Sequence, residues 1–329
     1  MTTQTMKAIQ LTQPCNPEEL IPVEVPIPQV KPGYALIKIR AFGVNESEVT
    51  SRKGESSPDF TFPRILGIEG VGEIAQVAEG STLSVGQKVA TMMGGLGRQT
   101  DGSYAQYTLV REDLLIPFDS SLDWSILGAI PEMTQTSYGS LHSGLRIKAD
   151  DTILIRGGSS TVGLMSIALA HSMGATVIAT TRSQTKLQDL RDYGCDYPVL
   201  DDSSLEETIY DIAPDGVDKV LELVGMTTLH QDMSFLKDGG YACFTGALSG
   251  SWTVKEFSPF MIPQGKYLTS YAGEVRDLPA QALNDILQKI EQGEIKIPIA
   301  HTYHGLEEVS QAHINLESGK FVGKHVVVL

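Results

Sequence analysis

The sequence is short of the residues that build metal lobes. Its three cysteines, Cys15, Cys195 and Cys243, are odd in number and far apart. They form no Cys-x-x-Cys pair and no Cys/His spacing of a structural zinc lobe. Inert thiols in a reducing compartment are the expectation. Long apolar runs are also missing. The opening MTTQTMKAIQ holds no stretch of signal-peptide length, and nothing later approaches a membrane span. A soluble, cytoplasmic protein without a membrane partner is expected. Positive charge is scarce as well. Against 25 Lys and Arg stand 40 Asp and Glu, a formal net charge of −15. That argues against nucleic acid as a partner, because such binding rests on Lys/Arg–phosphate pairing. What remains is ordinary for a globular protein: 41% hydrophobic and 20% charged residues over a length of 329, which points to two domains.

The first part, to about Phe118, is rich in short alternating runs and Gly/Pro punctuation. Leu36–Arg40 reads L-I-K-I-R, with Ile37 and Ile39 on one face and Lys38 and Arg40 on the other. This is the period of a half-buried strand. Gly67, Gly70, Gly72, Gly80 and Gly86 punctuate the stretch that follows, as bends in a small barrel would. The texture then changes. Leu122–Leu145 reads as helical, Thr152–Arg156 as a buried strand and Thr176–Thr181 as a second strand. A helix through Ser172 lies between those strands, another spans Lys186–Tyr193, and Val220–Val224 and Tyr241–Thr245 are further strand candidates. Strands alternating with helices at this spacing imply a doubly wound parallel sheet. Beyond Leu268 the rhythm stops; helical segments at Pro279–Gln292 and Leu306–Glu317 precede a last strand, His325–Leu329, expected to return to the first domain.

Between the Thr152–Arg156 strand and the next helix lies Gly157-Gly158-Ser159-Ser160-Thr161-Val162-Gly163. A pyrophosphate needs such a loop: small residues admit the anion, and the helix N-terminus supplies free N–H groups and the positive dipole end. Gly163 lets helix and strand pack closely. Hydroxyls at Ser160 and Thr161 replace the glycines of the full fingerprint, so the motif draws its weight from its strand–loop–helix setting. Gly158, Ser159, Ser160, Thr161 and Val162 are the cofactor-binding candidates here. An NAD site would place Asp or Glu about twenty residues beyond the loop. Here the next strand ends Thr180-Thr181-Arg182-Ser183, with Lys186 a turn later and no carboxylate before Asp189. Arg182 and Lys186, with Thr181 beside them, suit a ribose 2′-phosphate. Cations in a first helical turn oppose the dipole, which favours a functional reason for them. NADPH is the expected cofactor.

These residues, taken with others, resemble the medium-chain dehydrogenase/reductase superfamily, in its zinc-independent quinone oxidoreductase branch. The landmarks, in order, are Gly43-Val44-Asn45 with Arg52 and Gly54, then Pro63-Arg64-Ile65-Leu66-Gly67-Ile68-Glu69-Gly70-Val71-Gly72. Gly102-Ser103-Tyr104-Ala105-Gln106-Tyr107, Ile130-Pro131-Glu132 with Thr136, and Gly323-Lys324-His325-Val326-Val327 follow. The resemblance implies an α/β protein, a Rossmann doubly wound parallel sheet inserted into a GroES-like β-rich catalytic domain, with its active site between the two. The divisions expected are 1–122 for the catalytic domain, 123–267 for the NADPH-binding domain and 268–329 for the return.

The resemblance also implies roles. Asn45 and Thr136 would line the nicotinamide-ribose region and are the catalytic candidates. Val224 would lie near a ribose, Gly246 beside the nicotinamide ring and Lys324 near the cofactor. A homodimer is implied too. Zinc-dependent relatives place Cys near position 45 and His–Glu where this chain has Ile68-Glu69; Asn and Ile are not zinc ligands, so no metal is expected. Without a metal to polarise an alcohol, the expected chemistry is hydride transfer from NADPH to a small quinone or α,β-unsaturated carbonyl (enone). Glu48 stands where relatives often carry Asp, and Ser56 where some carry a tyrosine near the substrate. An enoyl or ketone reductase of the same fold, or a non-catalytic NADPH-binding protein, is the alternative.

Overall fold

The computed structural model describes residues 4–329. The chain divides into two compact units. One runs to Glu132 and takes in Glu274–Glu291 and Ile297–Leu329; the other comprises Met133–Gly273 and Gln292–Lys296.

The first unit is built on a seven-stranded sheet. Across it run Ile299–His304, Lys324–Val328, Tyr34–Val44, Glu69–Val77, Lys88–Met92 and Ile116–Pro117, with Tyr107–Arg111 also paired to Tyr34–Val44. The alternation read in L-I-K-I-R holds: Ile37 and Ile39 are buried while Lys38 is exposed. The last strand does return here, pairing antiparallel with Tyr34–Val44 through Val327 against Phe42. The core gathers Ile37, Ile39, Phe42, Ile74 and Val327, and Phe42 stacks on Tyr104 with centroids 4.6 Å apart. A short helix, Glu46–Arg52, follows the Tyr34–Val44 strand.

The second unit is a six-stranded parallel sheet. Its order is Tyr197–Leu200, Thr176–Thr181, Thr152–Arg156, Val217–Glu222, Leu236–Phe244 and Tyr267–Ser270. Numbered along the chain this is 3-2-1-4-5-6, the doubly wound Rossmann order. The Thr161–Ser172 helix (TVGLMSIALAHS) is apolar nearly all round and buried from Gly163 to Ala170, as a helix lying on a sheet requires.

The observed divisions differ from those expected. Asp123–Glu132 belongs to the first unit, and position 267/268 falls inside the sixth strand, Tyr267–Ser270. That strand is an edge with no fully buried residue, so it lacks the apolar run that marks its neighbours. The helical stretch 122–145 is interrupted: Trp124–Leu127, then Pro131–Gly139 opening on a proline, then a π-helical turn at Ser140–Gly144.

Candidate functional site

The carboxyl ends of the parallel strands in the second unit frame a pocket. Gly157 and Ser159 of the loop, Thr180 to Arg182 at the end of the second strand, and Val224 after the fourth all line it. The loop forms because Gly157 takes a positive φ of 75° and Gly158 N donates to Thr180 O at 2.9 Å. Gly163 is pinned by space: a Cβ there would stand 2.6 Å from the carbonyl oxygens of Gly157 and Gly158. Ser160 is the N-cap of the following helix, accepting from Gly163 N at 3.0 Å and donating to Gly157 O at 2.9 Å. Thr161 and Val162 then open the helix, and Val162 O accepts from Ser137 Oγ at 3.1 Å.

Of the residues singled out by sequence, Ser159, Thr181, Arg182 and Val224 share the pocket wall. Thr181 Oγ1 donates to Ser159 Oγ at 3.2 Å, joining strand end to loop. Arg182 is exposed, and among the described residues its guanidinium has no carboxylate or hydrogen-bond partner. Gly158, Ser160, Thr161 and Val162 belong to the loop and first turn without lining the wall. Lys186 ends the short 3-10 turn Gln184–Lys186 and is not on the wall. Nor is Gly246, whose N–H donates to Glu222 O at 3.2 Å. Thr136 lies in the Pro131–Gly139 helix; its hydroxyl donates to Gln135 Oε1 at 3.3 Å, and its carbonyl accepts from Ser140 Oγ at 2.7 Å. Beside it Gln135 Nε2 donates to the buried Tyr271 hydroxyl at 2.6 Å.

A charged floor that sequence reasoning missed lies under this pocket. Arg156, 1% exposed, ends the first strand. Its Nη2 reaches both carboxylate oxygens of Asp201 at 3.1 Å, and its Nη1 pairs with the fully buried Asp232. Asp201 lines the pocket together with Leu248 and Ser249. Glu222, also buried, accepts from Val224 N, from Gly225 N at 2.8 Å and from Thr228 Oγ1 at 2.7 Å, fixing the turn that carries Val224. Burial, reinforced by the Glu222 carboxylate, holds Asp232 well above the usual carboxylate range despite Arg156. The signal available in the sequence was an arginine inside an apolar strand run, since arginine is almost never fully buried unpaired.

The first unit holds Asn45 and Lys324, and gathers them into one buried cluster. Lys324, 3% exposed in its side chain, places Nζ 2.7 Å from Glu69 Oε1 and 3.0 Å from Glu132 Oε2, and donates to Asn45 Oδ1. Asn45 Nδ2 donates to Glu69 Oε1 at 2.9 Å, so both ends of the amide are engaged. Glu69 Oε2 takes Glu132 N at 2.8 Å. Glu48 accepts from Asn45 N at 3.0 Å and Ile68 N at 2.8 Å, so this glutamate forms the capping box of the Glu46–Arg52 helix. Gly43 makes the room: a Cβ there would stand 2.3 Å from Glu69 Oε1 and 2.9 Å from Lys324 Cε. Burial pushes Glu48 up to about 7, with the Glu69 charge adding to it, and burial likewise raises Glu69. Burial alone would lower Lys324, but Glu69 and Glu132 outweigh it and hold the ammonium above its ordinary value.

This donor set does not suit zinc. Glu69 and Glu132 already hold an ammonium, and Ile68 offers no donor atom. Among the described residues, no group of three or more His, Cys, Asp or Glu is placed to hold a metal ion. No described helix is long and apolar enough to cross a membrane.

Fold and pocket together define a dinucleotide-binding protein with a GroES-like unit. Residues 31–120 match the family described as alcohol dehydrogenase GroES-like domain, and residues 193–327 match that described as zinc-binding dehydrogenase. A probable quinone oxidoreductase of Leishmania amazonensis is 26% identical over 93% of this chain and 92% of its own. Prostaglandin reductase-3 of Mus musculus is 27% identical over 93% of this chain and 84% of its own. A mycobacterial structure complexed with NADPH superposes with a TM-score of 0.83 at 24% identity, covering 98% of this chain and all of its own. The chain belongs to the medium-chain dehydrogenase/reductase superfamily, in its quinone oxidoreductase branch. The relatives support an oxidoreductase of this family, whose fold binds a nicotinamide cofactor.

Proposed function

We propose that this protein is a cytoplasmic NADPH-dependent reductase, acting without zinc on a small quinone or α,β-unsaturated carbonyl. The observation that carries the cofactor assignment is Arg182: an exposed, unpartnered cation at the end of the second strand, on the wall shared with the Gly157–Ser159 loop. A cation there attracts a 2′-phosphate and gives a ribose diol no acceptor. Lys186, one turn on, adds charge of the same sign. The substrate class is supported by relatives named quinone oxidoreductase and prostaglandin reductase.

When bound, the nicotinamide supplies the hydride. The chain's own residues bind and orient it. The loop and the first turn present backbone N–H groups of Thr161 and Val162 to the pyrophosphate, with Ser160 holding that turn in shape. Glu222 fixes the Val224–Gly225 turn against the nucleotide. Gly246 borders the nicotinamide end, and Thr136 supplies a polar contact there. Asn45 is the second catalytic candidate, with an amide whose rotamer Lys324 and Glu69 lock. A hydroquinone product takes its protons from water, so no side-chain acid is required. A homodimer is part of this reading, since the Tyr267–Ser270 edge leaves backbone groups unpaired; light scattering on the purified protein tests it.

The test of the reaction is steady-state oxidation of NADPH and NADH, side by side, with a simple quinone and a simple enone. Preferred turnover of NADPH with either acceptor supports the reading. Equal use of NADH overturns the Arg182 assignment, and cofactor binding without turnover on any acceptor overturns the enzyme.

A further inference from the structure

The pocket holds one acceptor group that the phosphate chemistry leaves unused. Asp201 follows directly on the third strand, Tyr197–Leu200, and its backbone N–H donates to Thr181 O at 2.8 Å, so it stands beside the residue that precedes Arg182. Its carboxylate is 19% exposed, on the pocket wall, while the 1% exposed Arg156 grips both oxygens at 3.1 Å from behind. The sheet order runs from the loop-bearing first strand to the second and then to the third. A nucleotide whose pyrophosphate sits at the loop and whose ribose sits at Arg182 therefore extends its base toward the third strand, about 10 Å out at two strand spacings. That is where Asp201 stands.

We propose that Asp201 reads the base: its carboxylate accepts a hydrogen bond from the exocyclic amino group of adenine, selecting a 6-aminopurine nucleotide over a 6-oxopurine one. The Arg156 guanidinium serves two ends. It fixes the rotamer of Asp201, and it cancels a charge that would otherwise repel the phosphate bound by Arg182 a residue away from Thr181. A carboxylate cannot donate, so a carbonyl in place of the amino group meets an acceptor with an acceptor. This inference rests on the nucleotide reading above, but not on the choice between NADPH and NADH.

The test compares equilibrium binding of NADPH and its hypoxanthine analogue, and of NADH and its hypoxanthine analogue, to the wild-type protein and to Asp201→Asn. The wild type is expected to bind each adenine form about tenfold more tightly than its hypoxanthine partner, the size of one hydrogen bond to a charged acceptor. Asp201→Asn, whose amide can turn either end to the base, is expected to close that gap to within about twofold. Equal binding of the adenine and hypoxanthine forms by the wild type overturns the proposal and needs no variant. A gap that persists in Asp201→Asn overturns it too. A wild-type preference that is absent between NADPH and NADH, yet present between adenine and hypoxanthine, removes Arg182 from the reading and leaves Asp201 in it.

Discussion

Replacing Lys324 with methionine keeps an unbranched apolar stem, one atom shorter, and removes the charge from the buried cluster. The lost contacts are 2.7 Å to Glu69 and 3.0 Å to Glu132, whose side chains are 0% and 17% exposed. At an effective dielectric near 20, each such pair is worth about 6 kcal/mol of Coulomb attraction. Relief from burying the ammonium offsets most of it, and removing one member of a buried pair costs a net of about 3–5 kcal/mol. The pH dependence carries the diagnostic sign. Glu69 already sits above its ordinary value of 4.5 because it is buried, and loss of the neighbouring cation pushes it higher. An acid whose folded pKa exceeds its unfolded pKa contributes stability that is present below the unfolded value and lost as pH rises through the folded one. Lys324→Met is therefore expected to be weakest relative to wild type at pH 8 and to recover part of the difference at pH 5. Urea unfolding at the two pH values measures this. A loss under about 1 kcal/mol, identical at both, refutes the account of the cluster as a charge-balanced unit.

Glu48→Gln tests the same cluster from another side. The wild-type Glu48, raised from 4.5 to about 7, loses about 3 kcal/mol of its contribution across that window, so the variant should gain on wild type by about that much between pH 4.5 and pH 8. A constant difference in unfolding free energy refutes the shift. Arg182→Ala should raise the KM for NADPH by about 10- to 100-fold and leave that for NADH unchanged, the loss of a charge-assisted contact to the 2′-phosphate; equal effects on both cofactors refute the phosphate assignment. Gly163→Ala drives a Cβ to 2.6 Å from two carbonyl oxygens, and should cost about 1–3 kcal/mol in thermal or urea unfolding together with a weakened cofactor. Wild-type stability in that variant refutes the packing role.

The alternation of chemistry along the chain made the second unit legible. Thr152–Arg156 and Thr176–Thr181 are apolar enough to announce buried strands, and both are observed where they were read. The third strand was missed because Pro198 interrupts it, and a proline within an apolar run demotes the run to an edge. Asp201 was missed with it. The strand expected at Val220–Val224 is Val217–Glu222: the expected end overruns by two residues because Leu223 and Val224 are as apolar as the strand, and the expected start misses three because Asp218 and Lys219 interrupt the apolar run. The loop residues were visible as glycines and hydroxyls. Their division into wall, cap and floor was not, since it depends on which oxygen each hydroxyl faces. Asn45 and Lys324 were singled out through resemblance. That they meet in one ion cluster with Glu48, Glu69 and Glu132 needs the pairing of the Lys324–Val328 strand against Tyr34–Val44, a contact between residues nearly the whole chain apart.

That pairing also sets an order of events during synthesis. Residues 133–273, which supply every strand of the parallel sheet, leave the ribosome while the other unit still lacks two of its strands. Glu48, Glu69 and Glu132 are made early, and the Lys324 ammonium that pairs with Glu69 and Glu132 arrives 192 residues after the last of them. At about 5–20 residues per second, the carboxylates wait roughly 10–50 s for their cation. Until then the site that will hold it gathers carboxylates without that cation, so completion of the cluster is tied to the making of the Lys324–Val328 strand.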